Sequence, residues 1–370
     1  MRLLIWKYMT LVCLAGLLQA CKKEPFTTCC FIDDEDPMVI DTTTESPPCW
    51  DEIIVAQKDS VYTQFFRLNG PGWTGADGTL SIPFPDGRTL WLFGDTFLGT
   101  VEPDLSRRNF TFVNNTALVQ SGQVFSNPVV GNQPFARPEE NGWWYWPGHG
   151  HVVNDTLEII WYAMYQPGEG MWGFDYAAID IIRYSVLDLK MIDRKRVSTF
   201  PKINFGTCIL STQDYTYIYG AEKNGLSKHL HVARVPRGTL TAEWQYFDGQ
   251  TWINDLAKSR RQIPNVSEQF KVFEQDGIFY LLTQHHVLGS EIYIFDSDHP
   301  HTGFNNRKLI YCTPETKGEV FTYNAFAHPH LSQGNQLLIS YNVNSFQFQD
   351  VLKNADLYRP KFVHITGWKR

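Results

Sequence analysis

Past its first twenty residues the sequence contains no second long apolar run, no basic stripe and almost no stretch with helical periodicity. The first absence leaves no further candidate for a membrane-spanning helix. The second, with a net charge of −7, argues against nucleic acid as the main partner. The third excludes a helical bundle. Metal-ligand spacing is missing as well. Four His-x-His pairs occur (His149/His151, His229/His231, His299/His301 and His328/His330), but no acidic residue or Cys follows any of them at a ligand distance, which excludes a catalytic zinc site. The seven Cys fit no zinc pattern either, and Cys208 and Cys312 read as buried thiols.

What is present begins with a targeting segment. Arg2 and Lys7 flank Leu11-Val12-Cys13-Leu14-Ala15-Gly16-Leu17-Leu18, a run too short to span a bilayer, and Leu18-Gln19-Ala20-Cys21 resembles a bacterial lipobox. Residues 1–20 are therefore expected to be a lipoprotein signal, with cleavage before Cys21 and lipidation of its sulfur. The expected location is the outer membrane, facing the periplasm or the cell surface, with the membrane contacted through the lipid. Residues 21–50 are acidic and Pro-rich and predict a flexible stalk. Residues 51–370 then hold enough aromatic material for one large all-β domain, in a chain with 12 Trp, 17 Tyr and 25 Phe.

Strand signals recur through that domain. Thr89–Phe93, Leu157–Tyr162, Tyr215–Tyr219, Ile278–Leu282 and Gln336–Tyr341 are rich in aromatic and β-branched residues, and each follows a turn that itself follows a short strand. Five such hairpins, recurring at roughly 55 to 70 residues, predict a radial repeat, a five-bladed β-propeller. A two-sheet sandwich would show shorter, more even strand spacing.

In a blade, the start of the first strand and the end of the second meet at one end of the sheet, so residues there converge on an axial funnel. Those positions hold Trp73, Asp77 and Asp95, then Trp146, His149 and Tyr165, then Glu222, then Glu268, Gln284 and His285, then Tyr323, Asn324, His328, Asn342 and Asn344. Aromatic faces stack on sugar rings, and two carboxyl groups supply an acid and a base or nucleophile on either side of a glycosidic bond. Asp77 before Gly78 and Asp95 after Gly94 equally suit turns, and Glu268 suits an exposed edge.

Trp73-Thr74-Gly75-Ala76-Asp77-Gly78, followed by Asp86-Gly87-Arg88-Thr89-Leu90-Trp91-Leu92-Phe93-Gly94-Asp95-Thr96, resembles the opening blade of secreted five-bladed propeller proteins. These are the domain-of-unknown-function 5005 and 4185 types, the latter including endo-D-arabinanases. The resemblance implies that Asp77 and Asp95 are the catalytic pair. Ser267-Glu268-Gln269-Phe270 is similar to the blade that carries the general acid in arabinanase and xylosidase propellers, which makes Glu268 the alternative acid. Tyr323-Asn324-Ala325-Phe326-Ala327-His328-Pro329 and Tyr358-Arg359-Pro360 resemble the closing blade. The wider group also has an Asp opening its second blade, where this chain has Trp146-Pro147-Gly148-His149.

The expected function is hydrolysis of a pentose- or furanose-containing, arabinan-like polysaccharide. Asp77, Asp95 and Glu268 are the catalytic candidates. Trp73, Asn115, Trp146, His149, Tyr165, Glu222, His285, His328, Asn342 and Arg359 are the binding candidates. No cofactor is required, and by analogy a structural Ca²⁺ near His328 or His149 in the axial channel is expected. A glycan-binding lipoprotein without catalysis is the rival reading. A polysaccharide lyase, using Arg359 or Lys271 to neutralise a uronate, is the third.

Overall fold

The computed structural model describes residues 38–40, 54–129, 131–170, 173–198, 202–223 and 228–370. The signal segment, Cys21 and most of the expected stalk lie outside these residues. Met38–Ile40, inside the stretch read as stalk, instead forms an edge strand paired with Ile54–Lys58 (Val39 opposite Val55). Among acidic and Pro-rich neighbours, these three apolar residues suit a strand.

The predicted hairpins all form, and each grows into an antiparallel sheet. The first sheet runs Leu80–Pro83, Thr89–Phe93, Thr116–Ser121, Val124–Ser126, and the second Trp144–Val153, Thr156–Tyr165, Asp175–Ser185, Met191–Ser198. The third opens with Ile203–Ser211, Tyr215–Glu222 and Lys228–Pro236, and the fourth runs Phe270–Gln275, Ile278–Gln284, Glu291–Ser297, Asn305–Cys312. The fifth takes Val320–Ala327, Leu337–Ser345 and Lys361–Thr366 from the C-terminal end and adds Ile54–Lys58 from the other end of the domain. The turns obey local chemistry. Asp276 and Gly277 both have positive φ (56° and 80°), which suits the tight two-residue connection between Gln275 and Ile278.

Burial explains how the sheets are ordered. Leu80, Leu90 and Leu92 of the first sheet pack on Leu157 and Ile159 of the second. Ile160 and Met164 of the second meet Ile203 and Ile218 of the third. Tyr219 and Leu230 of the third meet Phe270 and Leu281 of the fourth, and Phe273 and Ile292 of the fourth meet Leu337 and Ile339 of the fifth. Leu338 and Phe362 of the fifth return to Trp91 and Phe93 of the first, so the apolar interfaces close a ring. Each such fully buried side chain contributes about 1.5–3 kcal/mol, offset by the entropy of ordering it. Cys208 is a buried free thiol in this core, and Cys312 is also buried.

One irregularity repeats at the opening strands. Pairing slips between Pro147 and Gly150 in the second sheet, between Phe205 and Cys208 in the third, and between Tyr323 and Phe326 in the fifth. Bulges of this kind bend a strand and re-aim its side chains. Pro147, Gly148, Thr207, Tyr323 and Asn324, all at these slips, line one common cleft. In the first sheet the corresponding break is at Asp77 and Asp95, beyond which the strands continue as a small separate sheet of Gly72–Ala76, Thr96–Val101 and Arg107–Val113.

Candidate active site

The cleft has a volume of about 480 Å³ and is lined by Asp77, Asp95 and Glu268 together with Asn114, Trp144, Trp146, Tyr162, Tyr176, Gln269, Tyr323, Asn344 and Tyr358. The register places the aspartates. Ala76 opposite Thr96 and Leu80 opposite Leu92 keep one alignment across the break, so Asp77 stands directly opposite Asp95. The backbone joins Asp77 to both residues of the Gly94-Asp95 turn: Asp77 N donates to Asp95 O at 3.2 Å, and Gly94 N donates to Asp77 O at 2.9 Å. Gly94 has to be glycine here, because a β-carbon would lie 2.5 Å from Asp77 Oδ1.

Asp77 and Asp95 are held differently. Tyr323 donates its hydroxyl to Asp77 Oδ2 at 2.9 Å, and the Tyr358 hydroxyl also bonds Asp77. Asp95 Oδ1 accepts from Trp146 Nε1 at 2.9 Å and from Asn114 Nδ2 at 3.1 Å. Burial pushes the Asp77 carboxyl up to about 7, helped by the charge of Asp95 and opposed by the tyrosine hydroxyls. Burial also raises Asp95, to about 6, against its Trp146 and Asn114 bonds. Two carboxyls whose environments separate their proton affinities are the arrangement an acid and a base or nucleophile require.

Glu268 lines the cleft and accepts from three donors: Asn204 Nδ2 and the Tyr176 hydroxyl bond its Oε1 at 2.6 and 3.0 Å, and Lys228 Nζ lies 2.5 Å from Oε2.

Of the binding candidates, Trp146 lines the cleft. Asn342 acts one step behind it: its Oδ1 accepts from Gly78 N at 3.0 Å, and its Nδ2 donates to Thr79 Oγ1 at 3.0 Å, which fixes the loop carrying Asp77. The others serve elsewhere. Trp73 is buried against Phe66 and Phe93, because its strand has crossed into the small sheet. Asn115 brackets the second sheet by donating to Ala136 O and Tyr145 O, while its neighbour Asn114 faces the cleft. The two asparagines lie in the short connection between Arg107–Val113 and Thr116–Ser121. Tyr165 packs on Trp143, Glu222 pairs with Arg261 and His231, and His285 pairs with Glu291. Arg359 is occupied by Thr74 O, Asp356 and Asn69.

His149 and His328 lie in a buried cluster drawn from the opening strands and their ends. Ile209 N donates to His149 Nδ1 at 3.2 Å, so Nε2 carries the hydrogen and bonds Ser81 O at 3.2 Å. Lys271 Nζ is 3.2 Å from that Nε2, and His328 bridges Ser81 and Ser340. Calcium requires several oxygen ligands, usually with carboxylates. This cluster offers no carboxylate and already contains a lysine, so the donor set does not fit the expected Ca²⁺. Among the described residues no group of three or more His, Cys, Asp or Glu side chains could hold a metal.

Tyr176, Asn204, Lys228 and Tyr162 had no recognisable signal in the sequence. Tyr162 reaches the site from a second strand, Tyr176 and Lys228 from third strands and Asn204 from an opening strand, through pairing and burial that a local pattern does not encode. Among the described residues the cleft lining contains no Lys, Arg or His, and neither Arg359 nor Lys271 is part of it.

No curated protein matches the chain. Among solved structures it is similar to a chain from Bacteroides ovatus ATCC 8483 described as a candidate hydrolase, with 22% identity, a TM-score of 0.75, and coverage of 92% of this chain and 97% of that one. Weaker likeness, at TM-scores of 0.45 and 0.46, is found to a GH43_1 enzyme from Xanthomonas citri complexed with xylose (12% identity, 83% and 92% covered) and a GH32 β-fructofuranosidase from Bombyx mori complexed with sucrose (9% identity, 80% and 62% covered). Residues 59–368 match the family model of domain of unknown function DUF5005, and the chain belongs to that family.

Proposed function

We propose that this protein is a glycoside hydrolase built on a five-bladed β-propeller and acting on a neutral, pentose- or furanose-containing polysaccharide of the arabinan kind. The observation that carries this reading is the pair Asp77 and Asp95, directly opposed in one cleft with their proton affinities split. Both carboxyls are raised, Asp77 the more so because the charge of Asp95 adds to its burial, so Asp77 is the one that keeps its proton while Asp95 is charged. Asp77 then gives that proton to the leaving oxygen. Asp95, with Oδ1 held by two N–H donors, attacks the anomeric carbon or activates a water.

A cleft with three carboxylates and no cationic side chain favours an uncharged polymer. Trp144 and Trp146 supply aromatic faces for sugar rings. The likeness of the first-blade motif to the domain-of-unknown-function 4185 proteins supports arabinan as the first substrate to try. We further propose lipidation of Cys21 and an outer-membrane location, which would hold the cleft near polymers arriving at that membrane. The test is incubation of the protein with plant, algal and mycobacterial polysaccharides, reading released sugars by chromatography. Products should appear with at least one pentose polymer and vanish in Asp77→Asn and Asp95→Asn. Binding without product would leave a glycan-binding protein instead.

A further inference from the structure

Tyr323 and Asn344 line the cleft with Asp77, and both come from the fifth sheet, on Val320–Ala327 and Leu337–Ser345. Phe321 stands opposite Asn344 and Tyr323 opposite Asn342, so Tyr323 and Asn344 are diagonal neighbours on paired strands. Their hydrogen bonds run in one direction. Ser345 N donates to Asn344 Oδ1 at 2.8 Å, which fixes the amide, because the reverse orientation would set Nδ2 against an N–H. Nδ2 can only donate, and it donates to the Tyr323 hydroxyl oxygen at 3.3 Å. That contact uses an acceptor site of the hydroxyl and leaves its single hydrogen for Asp77 Oδ2, at 2.9 Å.

The titratable groups acting on Asp77 are Asp95, whose charge raises it, and Tyr323 and Tyr358, whose hydroxyls lower it. Tyr358 arrives on the turn Ala355–Tyr358, and its hydroxyl bonds Tyr323 as well. A hydrogen bond to a charged oxygen is about twice as strong as one to a neutral oxygen. The Tyr323 bond therefore tightens as Asp77 loses its proton, and an interaction that strengthens towards the transition state is the kind that speeds a reaction.

We infer that Asn344 and Tyr323 are positioning residues for Asp77, a relay that aims a hydroxyl donor at Oδ2, keeps the transferable proton off that oxygen and steadies the carboxylate once the proton has left. The relay rests on the bonds that join Ser345, Asn344, Tyr323 and Asp77; its part in bond cleavage rests on the acid role given to Asp77 above. In that step the proton passes from Asp77 to the leaving oxygen as the glycosidic C–O bond breaks, and the electron pair of that bond stays on the oxygen.

The experiment follows the Asp77 carboxyl carbon by NMR as pH is varied, in the full chain carrying isotope-labelled aspartate, with Asp77→Asn identifying the signal. Tyr323→Phe removes one oxygen, and Asn344→Leu removes the donor without adding charge; unchanged circular dichroism spectra check that both fold. Loss of a bond to a charged group should move the Asp77 midpoint up by about one to two pH units in Tyr323→Phe. Asn344→Leu should move it the same way by less, and the double variant should match Tyr323→Phe alone. An unmoved midpoint in Tyr323→Phe, or effects of the two changes that simply add, overturns the relay. On an arabino-oligosaccharide, Tyr323→Phe should lower kcat by about tenfold or more with KM kept, and Asn344→Leu by less. Because the titration needs no turnover, a midpoint that moves while hydrolysis is unaffected would sink the acid role of Asp77 and leave the relay standing.

Discussion

Replacing Asp77 with asparagine should change the pH dependence of stability as well as activity. Asp77 has a carboxyl raised from an ordinary 3.8 to about 7, first by burial and then by the charge of Asp95. A raised acid contributes stability that is fully present below its unfolded value near 4 and is lost as pH rises through about 7, because the folded state resists the charge that the unfolded chain accepts. The shift is about three units, and each unit is worth about 1.36 kcal/mol, which sets an upper bound of about 4 kcal/mol. Asp77 is only half-buried and solvent reaches it through the cleft, so about 2 kcal/mol is the working figure. In a domain of this size that corresponds to about 3 °C in Tm. Asparagine keeps the shape and the Tyr323 bond but cannot ionise. Thermal unfolding followed from mildly acid to mildly alkaline pH should therefore show the variant level with or below the parent at the acid end and above it at the alkaline end. Parallel curves across that range would refute the claim that Asp77 carries a strained charge.

The kinetic profile of the parent should be a bell with both limbs above the ordinary carboxylate range, rising as the aspartate pair loses its first proton and falling as it loses its second. Trp146→Phe removes the N–H at 2.9 Å from Asp95, so the acid limb should move upward, read from kcat/KM against pH. Gly94→Ala places a methyl 2.5 Å from Asp77 Oδ1 and should lower kcat by about a hundredfold, with little change in the far-ultraviolet spectrum. The anomeric outcome, followed by NMR in the first minutes of hydrolysis, reads the working gap between the two carboxyls: retention goes with about 5–5.5 Å and inversion with about 6.5–9.5 Å.

Much of the architecture was legible because strand pattern and turn chemistry are local. The Asp276-Gly277 turn and the runs around it can be read with no knowledge of the neighbouring sheets. The aspartate pair was legible for a similar reason, since both residues flank one hairpin and their opposition follows from register. The binding residues were harder. Whether Asn114 or Asn115 faces the cleft depends on the short connection beside a break in the sheet, and Trp73 lies past that break. His149 and His328 sit on the opening strands as expected, but below the level at which the strands bulge, where the ring interior is closed by Lys271 and Ser81. Glu268 lines the cleft, and its three donors come from strands far along the chain, so they could not be inferred. Met38–Ile40 shows the opposite case, a short apolar triplet hidden in a polar stretch that tertiary pairing recruits.

The most direct test of the account compares leaving groups. The Asp77→Asn and Asp95→Asn proteins should be assayed on a pentoside with a 4-nitrophenyl leaving group, which needs little protonation, and on the matching unactivated oligosaccharide. If Asp77 is the acid, its variant keeps most of its kcat on the activated substrate and loses several orders of magnitude on the oligosaccharide, while the Asp95 variant fails on both. Equal losses on both substrates in the Asp77 variant, or full activity in either variant, would contradict the assignment.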